Sequence, residues 1–195
     1  MKRVVVSWVG SVLAMAGLLL WLAVGTQTRI NSAEDVPIRA EFTLQSAQHE
    51  VSATALRGRY LLVYFGYTHC PDVCPTTLLL MMNALKDLGD AAARIQPIFI
   101  TVDPERDDAK ITQEYASHFG KNLLGLSGSP AAIQAAADHF KVYYSKVEDK
   151  GSALGYTMDH SGFIYLMGPD GRYITHFPAT VSAQELRQGI HHAID

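Results

Sequence analysis

Cysteine is scarce in this chain, and its scarcity restricts the chemistry available. Cys70 and Cys74 are the only two cysteines among 195 residues. An iron–sulfur cluster usually takes about four cysteine ligands, and structural zinc takes about four ligands of any kind. The pair alone therefore completes neither kind of site.

Runs of lysine and arginine are also absent. The sequence holds 16 basic and 19 acidic residues, which gives a formal net charge of -3 at pH 7. Proteins that bind nucleic acid usually display a clustered basic surface. We therefore expect no nucleic-acid partner.

Charge is missing from most of the N-terminal segment. No charged residue lies between Val4 and Gly25. At ~1.5 Å per residue, such a helix measures roughly 33 Å and can cross a hydrocarbon core of about 30 Å. Lys2 and Arg3 precede it, so the positive-inside bias places the N-terminus in the cytoplasm and exports the remaining chain. We expect residues 1–25 to form one transmembrane anchor.

A cleavable signal peptide is the alternative, because Ala23 and Gly25 offer a small-residue cleavage site. The apolar run exceeds the usual length of a signal-peptide core, which favours a retained anchor. No Arg- and Ser-rich presequence precedes it, so a bacterial inner membrane is favoured over mitochondrial import. The chain then divides into an anchor (1–25), a polar linker (26–38) and a domain in the oxidising periplasm (39–195).

Strands and helices alternate along this domain. The continuous apolar run Tyr60–Phe65 predicts a buried strand, and a helix follows it from Cys74 or Pro75. Polar residues at 148–155 predict an exposed loop. Further elements are predicted as a hairpin within 42–51, strands at 97–102, 123–126, 142–147, 163–167 and 172–177, and helices capped by Asp107 or Asp108, by Ser129 and by Ser182. The order is typical of a thioredoxin-like α/β fold, in which helices cover both faces of a central mixed sheet.

Apolar spacing also predicts which faces of two helices turn inward. In the helix after the cysteines these residues are Leu78, Leu79, Met82, Leu85 and Leu88. In the next helix they are Ile111, Tyr115 and Phe119.

The two cysteines stand about one helical turn apart, so both sulfurs can point at one spot. They lie at the predicted N-terminus of a helix, where the dipole and unpaired N–H groups favour a thiolate. A redox couple, a soft-metal clamp and a structural disulfide between Cys70 and Cys74 all remain open. Thioredoxin-type enzymes have Cys-x-x-Cys spacing, so the extra residue here weakens the first. Among soft ions, Cu(I) fits best on ligand number.

A third ligand must come from elsewhere, and eight histidines are available. His160 stands out because it lies just before the strand at 163–167, at a sheet end that can approach the cysteines. His69 adjoins Cys70, but neighbours on an extended segment point to opposite sides. Spacing alone leaves His160 one candidate among several.

Three segments together resemble the Sco/SenC family: Tyr64–Thr76, Thr101–Asp107 and Asp159–Ser161. The resemblance covers roughly 36–193. Members of that family are membrane-anchored thioredoxin-fold proteins that bind copper and assist assembly of the dinuclear copper centre of cytochrome c oxidase. The resemblance implies that Cys70, Cys74 and His160 bind a copper ion, as Cu(I), Cu(II) or both.

We expect two aspartates to contact the proposed ligands and orient them, without binding the metal ion themselves. Asp103 matches a family motif, and a turn aspartate that caps the N–H of Glu105 or Arg106 is the alternative interpretation. Asp159 adjoins the proposed histidine ligand. Met158 offers a thioether, but we expect it to be packed in the core rather than bound to metal.

The sequence thus predicts a copper chaperone, not an enzyme, whose partner is the copper-bearing subunit of the oxidase. A periplasmic copper donor and a thioredoxin-like reductant are further expected partners. The alternative function is a thiol–disulfide oxidoreductase that reduces the oxidase's copper-site cysteines or senses redox state. Only His160 separates the two hypotheses, because both use the cysteine pair.

Overall fold

The computed structural model describes residues 37–149 and 155–195. The chain divides into two compact units, 1–36 and 37–195. The predicted anchor (1–25) and most of the linker (26–38) lie outside the described residues. Within the described part of the chain, no helix has the length and apolar character needed to span a membrane.

Strands in the described residues are numbered β1 to β9. They are β1 Thr43–Gln45, β2 Glu50–Ser52, β3 Tyr60–Gly66, β4 Ile95–Thr101, β5 Leu124–Leu126, β6 Tyr144–Glu148, β7 Tyr156–His160, β8 Phe163–Met167 and β9 Tyr173–Pro178. The α-helices are α1 Val73–Asp87, α2 Ala109–Ser117, α3 Pro130–Phe140 and α4 Ala183–Ile194. Short 3₁₀ turns occupy Ala53–Leu56 and Gly89–Arg94.

Five strands form a central mixed sheet in the order β5-β4-β3-β8-β9. β3, β4 and β5 run parallel, whereas β8 is antiparallel to β3 and to β9. Phe65 contacts Phe140 of α3 on one face, with ring centroids 5.2 Å apart. Tyr64 contacts Cys74 of α1 on the other face, where α1 also packs against α4. The predicted thioredoxin-like arrangement, with helices on both faces, is confirmed.

Strand β3 positions the cysteines. Every residue from Leu61 to Gly66 is buried, because neighbouring strands and helices on both faces enclose it. The chain leaves this strand at the carboxyl edge of the sheet and turns into α1. Cys70 lies in that turn, and Cys74 lies in the first turn of the helix.

The inward faces of two helices differ from those predicted. Leu79 of α1 is 54% exposed, while Met81 and Ala84 are buried in its place. Ile111 of α2 is 42% exposed, while Thr112 is buried. At ~100° per residue, Met81 lies about 160° and Ala84 about 140° from Leu79 around the helix axis, so the buried face of α1 is turned away from Leu79. Ala84 and Thr112 do not contribute to a pattern of large apolar residues, whereas Met81 does and was not predicted to face inward.

In the predicted loop at 148–155, residues 148, 149 and 155 are exposed as expected, and residues 150–154 lie outside the described part of the chain. The first residue of this loop closes β6, and β7 begins just after the loop and pairs antiparallel with β6. The two strands form a separate two-stranded sheet, here called the β6–β7 ribbon. Its sequence is largely polar because much of the ribbon faces solvent, so apolar alternation did not reveal β7.

Strand β3 and helix α1 approach each other closely at Gly66. A methyl side chain at this position would lie 2.9 Å from Cys74 Sγ and 3.1 Å from the Phe99 ring. The neighbouring groups are buried, so the overlap can be relieved only by moving the strand or the helix.

We expect Gly66→Ala to destabilise the domain by about 1–3 kcal/mol, the usual cost of overfilling a core. Gly162→Ala is the matched control, because its methyl group would meet Ala179 at 3.7 Å, an ordinary contact. Urea unfolding followed by circular dichroism measures both. Equal stability of the two variants would contradict the tight approach at Gly66.

Candidate metal centre

Three elements bring Cys70, Cys74 and His160 to one corner of the domain. Cys74 Sγ lies 3.6 Å from His160 Nε2 at the end of β7. The backbone N–H of Cys74 donates to Cys70 Sγ over 3.3 Å. Both cysteines are free thiols rather than a disulfide. Cys70 and His160 line an open cavity of about 310 Å³, together with Pro71 and Gly162.

The two sulfurs have different environments. Cys74 is fully buried, and the Tyr64 hydroxyl lies 3.8 Å from its sulfur as a donor. Cys70 is half-buried and faces the cavity. The exposed sulfur can meet a partner protein, whereas the buried one cannot be reached directly.

Proton affinity follows the same asymmetry. The thiol of Cys74 donates a hydrogen bond to the sulfur of Cys70, and the backbone N–H groups of Cys74 and Asp72 donate to it as well. These hydrogen bonds stabilise the thiolate and lower the pKa of Cys70 to about 5. Donating that hydrogen bond and burial both raise the pKa of Cys74. At neutral pH the reduced pair therefore holds one thiolate and one thiol.

The imidazole of His160 has a defined tautomer. Its Nδ1 lies 3.2 Å from the carbonyl oxygen of Ser161, which can only accept a hydrogen bond. Nδ1 therefore carries the proton, and the lone pair of Nε2 points toward Cys74 Sγ. Metal-binding histidines commonly fix their free nitrogen in this way, with the other ring nitrogen donating to a carbonyl.

The donor set suits a soft ion such as copper. Metal–sulfur bonds of about 2.3 Å and metal–nitrogen bonds of about 2.0 Å place two ligands of a d¹⁰ ion roughly 3.5–3.8 Å apart. The separation of 3.6 Å between Cys74 Sγ and His160 Nε2 falls in that interval. Across residues 37–149 and 155–195, no three His, Cys, Asp or Glu side chains are already grouped as a metal cage. The site thus consists of Cys74 Sγ and His160 Nε2, whose separation suits two ligands of one metal ion, with the Cys70 thiolate beside them.

Sequence reasoning missed the role of Asp107. Its buried carboxylate accepts hydrogen bonds from the Thr68 N–H at 2.8 Å and from the Thr101 hydroxyl at 2.7 Å. His69 faces the same carboxylate at 3.5 Å and so points away from the cysteine cavity, as predicted. The cap of α2 is Asp108, whose side chain accepts from the N–H of Ile111. Asp107 therefore fastens the cysteine loop to β4.

Asp103 lies behind the site but does not cap the turn with its side chain. Its backbone carbonyl accepts the N–H of Arg106, while its carboxylate binds the Arg106 guanidinium and the Tyr156 hydroxyl. Asp159 is exposed and lines the cavity. Met158 is buried within the hydrophobic core, as predicted for a packed methionine.

Fold and site together define a thioredoxin-like protein with two thiols at a helix N-terminus and one imidazole from a separate ribbon. The SCO1/SenC family model matches residues 30–195. The chain belongs to the SCO1/SenC family, as the resemblance of the three segments predicted.

Known proteins agree with this assignment. A SCO2-like protein of Rickettsia felis is 37% identical over 162 residues, covering 82% of this chain and 79% of that protein. The structure of Bradyrhizobium japonicum ScoI with copper bound matches with a TM-score of 0.71 and 40% identity, over 80% of this chain and 99% of that one. BsSco, a member of the Sco family of cytochrome c oxidase assembly proteins in which a disulfide switch is identified, matches with a TM-score of 0.61 and 26% identity, over 80% and 95%.

Alkylation should distinguish the two cysteines. In the reduced, metal-free protein we expect iodoacetamide to label Cys70, with a rate that rises through about pH 5 and is level near neutrality, since its pKa is lowered. Cys74→Ala should move the midpoint upward because the thiol donor is lost, and Cys74→Ser should move it less because a hydroxyl donor remains. Mass spectrometry locates the label. A midpoint in wild type at about 8.5, the ordinary thiol value, would contradict this environment.

Proposed function

We propose that this protein is a membrane-anchored copper chaperone that binds copper through Cys70, Cys74 and His160 and assists assembly of the copper centre of cytochrome c oxidase. The observation that supports it most directly is the approach of His160 Nε2, with its lone pair free, to Cys74 Sγ at 3.6 Å. A structural disulfide needs no such imidazole. A copper ion can use one, because imidazole is among the ligands that suit copper.

The relatives support the same function. The Bradyrhizobium japonicum protein is solved with copper bound, and BsSco belongs to a family of cytochrome c oxidase assembly proteins. On this proposal residues 1–25 anchor the chain in a bacterial inner membrane, and residues 26–38 lift the domain into the periplasm. A periplasmic copper donor and a thioredoxin-like reductant supply the metal and keep the thiols reduced.

Copper is the cargo, and the protonation of the two cysteines changes when it binds. The metal-free pair holds a thiolate on Cys70 and a thiol on Cys74, so binding Cu(I) as a dithiolate releases one proton from Cys74. His160 completes a trigonal site or captures Cu(II). Three ligands leave room for a thiolate of the acceptor, which enters from the exposed Cys70 side. Copper then passes by ligand exchange without becoming free.

The second candidate function is thiol–disulfide exchange with the oxidase. It is favoured by the pairing of an exposed thiolate of low pKa with a buried thiol. The Cys70 thiolate would attack a partner disulfide and form a mixed disulfide. Cys74, after losing its proton, would attack Cys70 and release the partner as a dithiol, so that two electrons pass to the partner.

Copper analysis of the reduced full-length protein in detergent tests the first function. We expect one copper per wild-type chain and none in Cys70→Ser. In His160→Ala, Cu(II) affinity should fall far more than Cu(I) affinity, because an imidazole contributes more to Cu(II) than to a dithiolate Cu(I) site. Competition with a chromophoric chelator measures each oxidation state.

His69→Ala is the matched control for the imidazole, because this ring adjoins Cys70 but faces Asp107. It should bind copper like wild type. If His160→Ala and His69→Ala bind Cu(II) equally well, His160 is not a ligand. If His160→Ala also retains full oxidase assembly in cells, the oxidoreductase function is favoured instead.

A further inference from the structure

The β6–β7 ribbon carries His160 but is not hydrogen-bonded into the central sheet. A backbone ladder to β8 or β9 therefore does not fix the position of this imidazole. Only Ser161 and Gly162 separate His160 from β8, so the chain itself holds that end of β7, and side-chain contacts have to hold the opposite end.

Alternate residues of β7 face the body of the domain. Tyr156, Met158 and His160 lie on one face of the strand, because successive side chains point to opposite sides. Met158 is buried in the core, and His160 meets Cys74. Tyr156 is the third anchor, at the opposite end of the strand from the histidine.

Arg106, in the loop between β4 and α2, holds the Tyr156 end. Its guanidinium carbon lies 3.6 Å from the centroid of the Tyr156 ring, and Nη1 donates to the Tyr156 carbonyl oxygen over 3.1 Å. Nε donates to the carboxylate of Asp103. The planar cation is therefore held by stacking on the Tyr156 ring as well as by hydrogen bonds.

Arg106, Asp103 and Tyr156 are here called the clamp, and the two charged side chains in it are largely buried. The side chain of Asp103 is only 3% exposed and that of Arg106 is 16% exposed. Asp103 also accepts the Tyr156 hydroxyl at 2.9 Å, so one carboxylate joins the loop to the ribbon. The nearby ion pair between Lys146 and Glu105 is largely exposed, and exposed pairs contribute little, but the Lys146 ammonium also lies 3.9 Å from the centroid of the Tyr156 ring.

Tyr67 connects the clamp to the metal centre. The Arg106 guanidinium lies 5.9 Å from its ring centroid, and the His160 ring lies 6.1 Å from the same ring in an edge contact. The Tyr67 hydroxyl is 2.7 Å from the Thr157 hydroxyl, which is a second tie to β7. One ring thus contacts the clamp, the strand and the imidazole.

From these contacts we infer that Arg106 is a positioning residue for copper binding: stacked on Tyr156 and paired with Asp103, it docks the β6–β7 ribbon so that His160 reaches the cysteines. The inference rests on the proposed function for the role of His160. Lysine cannot replace arginine here, because an ammonium keeps the charge but has neither the planar stacking surface nor the fork of donors.

Arg106→Lys is therefore the test variant, since it leaves the buried Asp103 with a cation. Arg172→Lys is the matched control: it makes the same change in an arginine paired with Asp170, where both side chains are mostly exposed. Tyr156→Leu removes the stacking partner from the other side and should reproduce the effect of Arg106→Lys.

Hydrogen exchange in the metal-free full-length protein measures docking without copper. We expect the amides of β7 to exchange roughly tenfold faster or more in Arg106→Lys, while those of β3 remain as in wild type. Arg172→Lys should match wild type throughout. Unchanged exchange of β7 in Arg106→Lys would overturn the clamp, whatever the copper measurements show.

Cu(II) titration then measures positioning. Groups that orient a metal ligand typically change metal affinity by about 10–100-fold, so Arg106→Lys should lower Cu(II) affinity by at least tenfold and leave Cu(I) affinity close to wild type. Added imidazole should restore the Cu(II) charge-transfer spectrum of Arg106→Lys, as it should that of His160→Ala. Arg106→Lys in the His160→Ala background should produce no further loss.

The outcomes separate the clamp from the proposed function. A wild-type affinity for Cu(II) in Arg106→Lys, or an equal further loss in the His160→Ala background, would overturn the positioning role. If His160→Ala itself leaves Cu(II) binding unchanged, the ligand assignment fails while the exchange experiment still decides whether Arg106 docks the ribbon.

Discussion

The structure depends on the burial of one sulfur atom, that of Cys74, against the backbone of β3. The helix can approach the strand this closely only because Gly66 has no side chain at the point of contact. This approach fixes where α1 begins, and hence where Cys70, one turn earlier, opens toward solvent. The same approach determines how far the His160 side chain must extend into the domain to contact the sulfur of Cys74. A centre with one buried and one exposed sulfur follows from packing, and its proton asymmetry follows from that burial.

The same asymmetry explains why one site suits two kinds of chemistry. A buried thiol beside a half-buried thiolate suits disulfide exchange, and with the imidazole added the same groups would suit a metal ion such as copper. Two carboxylates, those of Asp107 and Asp103, are engaged in the scaffold, whereas Asp159 is exposed at the cavity. Asp107 holds the cysteine loop and Asp103 holds the loop that contacts the ribbon, so neither competes with sulfur for a metal ion.

Sequence reasoning succeeded where the physical signal is local. The apolar run of β3, the capping box at Ser182 and the proline after Ser129 each mark an element by its own residues, and all three elements are present. It failed where the signal is tertiary. The carboxylate of Asp107 accepts a hydrogen bond from Thr68, which lies 39 positions away, and the spacing of the residues does not predict that bond. β7 escaped detection because its pairing partner is a polar strand. Its place before the strand at 163–167 made His160 one candidate among eight histidines, and the family resemblance was needed to select it.

The separateness of the β6–β7 ribbon has a consequence for how such a centre can change over time. The ribbon forms its own two-stranded sheet, which is joined to the rest of the domain by the chain itself, by the buried Met158 and by a few polar contacts. Substitutions at its exposed positions can therefore alter the approach of His160 to Cys74 while the turn and the helix that carry the thiols stay unchanged. The position of the imidazole and the packing of the thiols can thus vary separately.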